Sequence, residues 1–169
     1  MCTESMSQID MLNMIYEPIV NKKDELYNTL IEKGYNINWG YFTHHMLRRD
    51  NELFTELYPI PVLSIVNICD IGIDVEHIFI EGKLSKADAK KFDFSLFDCY
   101  DFDIYSVEDC TKDYYSTACG KLSAQVIQDT VANCDEKEVL VALYLPFDAD
   151  VEEIESIVRL MRKSGFYIV

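Results

Sequence analysis

Long apolar runs are missing from this chain. None approaches the ~18 consecutive apolar residues that a membrane-crossing helix requires, and the opening MCTESMSQID has neither the basic start nor the apolar block of a secretory signal. A soluble, cytoplasmic protein is therefore expected. Basic residues are scarce: 15 Lys and Arg stand against 30 Asp and Glu, for a net charge of −15. Such a field repels phosphate backbones, which argues against direct nucleic-acid binding. Six cysteines occur, but never as C-x-x-C, and their irregular spacing does not suggest a compact disulfide scaffold; buried free thiols are expected. Repeats, low-complexity tracts and Pro/Gly/Ser-rich linkers are absent.

Phosphate-binding loops are missing too. At Gly120–Lys121 the residue five positions earlier is Tyr115 rather than glycine, and Leu122 stands where a hydroxyl residue is needed. Neither G-x-G-x-x-G nor G-x-S-x-G occurs. The sequence implies no cofactor.

What is present suits a folded domain. Of 169 residues, 49% are apolar and 12% aromatic, and a chain of this length can bury roughly 70% of its extended surface. The first third reads as helical. Ile9, Leu12, Ile15 and Tyr16 lie near one face of 7–16, Pro18 suits a new first turn, and Leu26, Tyr27, Leu30 and Ile31 form a stripe that Gly34 ends. Trp39, Phe42, Met46, Leu53, Phe54 and Leu57 predict a further helical segment over 39–57.

The period then changes. Val62, Leu63, Ile65, Val66 and Ile68 predict a strand covered on both faces, and IDVEHIFIEG a second one, with Gly72 in the connection of a hairpin. Ser85 is placed to cap a short helix through Lys91. A helix within 114–133 follows, then the strand KEVLVALYLPF, then a helix capped by Asp150 with Val151, Ile154, Ile157, Val158 and Met161 inward. Gly165 stops it, and FYIV closes as a short strand. The expectation is an α+β fold: a mixed sheet of about five strands packed against helices, with an N-terminal helical layer. Residues 1–57 form the helical segment and 58–169 the core, together one compact domain.

The oddest stretch is FDFSLFDCYDFDIY, residues 92–105. Read as extended, it puts Phe92, Phe94, Leu96, Asp98, Tyr100, Phe102 and Ile104 on one face. Asp93, Ser95, Phe97, Cys99, Asp101, Asp103 and Tyr105 fall on the other. Asp98 breaks the pattern, because a lone carboxylate on an apolar face is costly to bury. Either a bulge or turn near Phe97–Asp98 resets the register, or Asp98 is paired. Asp101, Asp103, Glu108 and Asp109 are conceivable ligands for calcium or magnesium. The calcium-loop template fails, however: from Asp101, position six is Ser106 and position twelve Lys112. A solvated strand face explains the acids better.

Other chemistry is thinner. His44 and His45 are adjacent and diverge on a helix, and His77 has no companion ligand at zinc spacing. Cys119 lies near a predicted helix start, although Ala118, Gly120 and Ser123 around it read simply as small residues for close packing. The reading that remains is a non-catalytic binding domain whose acidic, Tyr-rich surface comprises Asp98, Tyr100, Asp101, Asp103, Tyr105, Glu108, Asp109, Tyr114 and Tyr115. Its expected partner is a basic protein or a second copy of the chain. The alternative is a small enzyme or ligand-binding domain that uses the carboxylates Asp101, Asp103, Glu108 and Asp109, with or without a divalent ion.

Overall fold

The computed structural model describes residues 7–41, 60–109 and 112–168. His44, His45 and most of the predicted 39–57 helix lie outside them. The fold is α+β, as the alternating periodicities imply, with seven strands among the described residues rather than about five.

Helix α1 (Gln8–Glu32) starts at a capping box: Ser7 Oγ accepts from the Asp10 amide at 3.1 Å while the Asp10 carboxylate accepts from the Ser7 amide at 3.3 Å. It runs unbroken through Pro18, where two helices were expected. Pro18 is exposed, so water can serve the carbonyl left without an amide donor. Ile19, Leu26 and Leu30 are buried from it, each contributing roughly 1.5–3 kcal/mol of apolar burial. Strand β1 (Ile37–Tyr41) follows, so Trp39 begins no helix; its ring lies 4.4 Å beneath Lys23 Nζ of α1.

The predicted two-strand hairpin is three strands: β2 (Pro61–Ile65), β3 (Cys69–Ile73) and β4 (His77–Ser85). Asn67, at φ 61°, makes the β2–β3 turn that was assigned to Gly72. Gly72 lies within β3 opposite Phe79, and a β-carbon there would overlap the phenyl ring. Asp74 Oδ1 organises the β3–β4 turn by accepting from the amides of Glu76 (2.8 Å) and His77 (2.6 Å).

Ser85 caps α2 (Lys86–Ala89), accepting from the Asp88 amide at 3.1 Å. Residues 92–100 then form no strand. Phe94–Phe97 is a 3-10 turn that sends Phe92, Phe94 and Phe97 together into the core, with the Phe92 ring centroid 5.0 Å from those of both Phe94 and Phe97. Extended structure begins at β5 (Asp101–Ser106), where alternation holds: Phe102, Ile104 and Ser106 are buried. Strand β6 (Asp113–Ser116) and a 3-10 turn, Thr117–Cys119, precede the helix expected within 114–133. Helix α3 (Ala124–Ala132) begins only at the Ser123 cap, because Tyr114-Tyr115-Ser116-Thr117 is a β-favouring run.

Strand β7 (Glu138–Pro146) and helix α4 (Val151–Lys163) match expectation, with Asp150 as N-cap and Gly165 at φ 81° past the end. FYIV contributes a single antiparallel bridge, Lys83 with Tyr167. Sheet order is β1-β2-β3-β4-β7-β5-β6, and every ladder is antiparallel. The expected parallel pairing fails for a topological reason. The connection from β4 to β5 does join strands of like direction, but β7 inserts between them.

The inward faces of these strands and the apolar stripes of α1, α3 and α4 form one core. Cys69 and Cys134 are buried in it, whereas Cys99 and Cys119 are exposed, contrary to the expected burial of all thiols. No helix among the described residues is long and apolar enough to cross a membrane.

Candidate functional site

Because β5 alternates, burying Phe102 and Ile104 fixes Asp101, Asp103 and Tyr105 on its outer face, beside Tyr144, Ala142 and Leu140 of β7. There Tyr105 Oη donates to Asp103 Oδ2 at 2.7 Å and lies 2.9 Å from Tyr144 Oη. One hydroxyl carries one proton, so a Tyr105 that donates to Asp103 receives from Tyr144. Burial, then these two bonds, hold the Tyr105 phenol well above its ordinary range, so it stays neutral. Asp98, Asp101, Asp103 and Glu108 form no ion pair with any described residue.

The loop beyond β5 is tied down by Glu136, in the connection between α3 and β7. Its carboxylate accepts from the Ser106 hydroxyl, from Tyr114 Oη at 3.1 Å and from the Val107 amide at 2.7 Å. Partial burial opposes ionisation, but these bonds and one from the Glu108 amide outweigh it and hold the Glu136 carboxyl below its usual value. Glu108 and Asp109 are exposed on this loop, and Lys112 Nζ sits 5.0 Å from the centre of the Tyr114 ring.

The nine residues singled out in the sequence thus separate. Asp101, Asp103 and Tyr105 share the outer face, Glu108 and Asp109 extend it, and Tyr114 braces the loop. Asp98 is exposed at the end of the 3-10 turn, which resolves its conflict by a turn rather than a partner; its carbonyl accepts from Lys121 Nζ at 2.6 Å. Tyr100 turns toward the helices and donates to Glu153 of α4 at 3.0 Å. Tyr115 is buried against Phe102, with ring centroids 5.0 Å apart, and so leaves the contact surface. Among the described residues, no three His, Cys, Asp or Glu side chains are gathered to hold a metal ion.

A second carboxylate pair went unnoticed in the sequence. Asp70 on β3 and Glu81 on β4 are direct ladder partners, on the sheet face away from α4, since the neighbouring Gly82 faces Met161 of that helix. Glu81 is 8% exposed, and the buried Asp70 Oδ1 has no hydrogen-bond partner among the described residues. Burial first and then the Asp70 charge push Glu81 up to about 8, against a smaller opposing pull from Lys83. Burial likewise raises Asp70, countered by a bond with Ser64. The signal was there: in ICDIG and IFIEG a carboxylate interrupts an apolar strand.

No family model matches the chain, and no curated protein matches it either. It is similar in structure to a conserved hypothetical protein from Pyrococcus furiosus, with a TM-score of 0.72 and 19% identity over 93% of this chain and 98% of that one. At that identity the likeness concerns the fold.

Proposed function

We propose that this is a non-catalytic protein-interaction domain of the cytoplasm that holds a basic protein partner against the outer face of β5 and the loop following it. The observation that carries this reading is the unpaired charge: Asp101 and Asp103 on the outer face of β5 and Glu108 on the loop beyond it form no ion pair among the described residues. Unbalanced carboxylates speed and select encounter with a positively charged surface more than they deepen affinity. Tyr105 and Tyr144 add aromatic area with a hydroxyl at the end, the amphipathic contact that interfaces favour.

The test uses the full chain as immobilised bait in an extract of its own cells, beside an Asp101→Asn/Asp103→Asn double variant. The reading expects a basic polypeptide retained at low salt, released as ionic strength rises, and lost from the variant. Stability of the variant should stay within about 0.5 kcal/mol of the parent, since both changes are at the surface. Equal retention by the two baits, or none by either, sinks the proposal.

A further inference from the structure

At the end of the sheet remote from β5, three chain reversals enclose a cleft. Helix α1 ends at Gly34, whose φ of 86° turns the chain so that Tyr35 enters the core and its amide reaches the Leu30 carbonyl at 3.1 Å. The β2–β3 turn supplies Val66, Asn67 and Ile68, and the last turn of α4 supplies Arg162. Between them lies an open cleft of about 330 Å³, near the lower end for sites that hold small organic molecules.

The charges around it do not cancel. Glu155 is buried and accepts from Tyr35 Oη at 2.9 Å, with Lys33 Nζ 3.9 Å and Arg159 Nη2 3.7 Å away. Glu152 takes Lys33 at 2.5 Å. Both carboxylates are thus engaged, while the guanidinium of Arg162 has no hydrogen bond or ion pair with any described residue. In a chain with twice as many acids as bases, a guanidinium left over at a cleft is unexpected. Its planar fork matches the paired oxygens of a carboxylate or phosphate. Asn36 and Asn67 add amide groups at the rim, and Val66 and Ile68 give an apolar wall that a bare inorganic ion would leave unused.

We infer that this cleft binds a small organic anion, its oxyanion on Arg162 and its apolar body against Val66 and Ile68. The site is independent of the acidic surface on β5.

The experiment is amide NMR of the ¹⁵N-labelled full chain at low salt, titrated with phenylacetate, with phenyl phosphate and with neutral benzyl alcohol. Saturable shifts are expected at the amides of residues 34–36 and 66–68 with at least one anion and not with the alcohol. Which anion binds tells a carboxylate site from a phosphate site. Arg162→Gln, an exposed change that leaves the fold in place, should weaken binding by about tenfold or more, while Asp101→Asn/Asp103→Asn should not alter it. No saturable shift with either anion, or equal affinity in Arg162→Gln, overturns the inference.

Discussion

Asp70 and Glu81 face one another across the β3–β4 ladder, two carboxyl groups withdrawn from water, with Lys83 of β4 exerting a smaller compensating pull. Lys83 is itself engaged with Glu138 at 3.5 Å. Ionising both acids would place like charges side by side in a poorly solvated setting. The pair therefore retains a proton at neutral pH, carried by the more deeply buried Glu81.

That arrangement makes the fold sensitive to alkali. Glu81 titrates at about 8 when folded, above its ordinary 4.5, so its protonated form is the one the fold favours. The associated stability is complete below about 4.5 and disappears as pH rises through about 8, at up to about 1.4 kcal/mol per pH unit. Glu81→Gln keeps the shape without the charge. Urea unfolding at pH 5 and pH 9 should show the parent losing stability at the higher pH and the variant losing less, the variant being ahead there by roughly 1–3 kcal/mol. Parallel pH profiles for the two proteins would show that Glu81 is ionised throughout.

Gly72 is fixed by its neighbour across the ladder. Phe79, 2% exposed, lays its ring over the backbone of Gly72, where a β-carbon has no room. Gly72→Ala should cost about 2 kcal/mol of unfolding free energy through overpacking, even though its backbone conformation suits any residue. Phe79→Leu in the same chain should recover part of that loss, because the clash is with the ring. A double-mutant cycle that is simply additive would show that the two positions do not compete for the same space.

The same glycine shows where sequence reasoning succeeds and where it stops. Period and caps located α4 closely, since Asp150, the inward stripe from Val151 to Met161 and Gly165 all agree on one answer. Gly72 was assigned to a turn because glycine often marks one, but the reason for it here is the ring of Phe79, its pairing partner across the β3–β4 ladder. Asp101, Asp103 and Tyr105 fell on one face by period 2 alone. Tyr115 did not, since its burial depends on a register with Ile104 that only the β5–β6 pairing sets. Asp70 and Glu81 looked like isolated interruptions, and nothing local states that β3 and β4 bring them opposite each other. Arg162 is left without an ion pair among the described residues while Lys33 and Arg159 take Glu152 and Glu155, a distribution that only the packing of α1 against α4 sets.

Glu136 offers the most direct test of how the acidic loop is held. Four donors converge on its carboxylate: the Ser106 hydroxyl, the Tyr114 phenol and the amides of Val107 and Glu108. Ser106 Oγ in turn accepts from the Asp109 amide at 2.8 Å, so the first turn beyond β5 depends on one side chain of a distant loop. Glu136→Ala removes the acceptor and leaves the buried Ser106 hydroxyl and a backbone N–H to find water, at a cost of about 1–2 kcal/mol. The loss should be local: amide exchange at Val107 and Asp109 should accelerate well beyond that in the core strands. Acid should mimic the variant. A carboxyl held below its ordinary value contributes stability at pH values above that ordinary value and loses it as pH falls through the folded one. Protection of Val107 should therefore decline in mild acid in the parent and be flat with pH in Glu136→Ala, once intrinsic exchange rates are divided out. Equal protection in both proteins at neutral pH would mean that the β5–β6 pairing, rather than Glu136, holds the acidic loop in place.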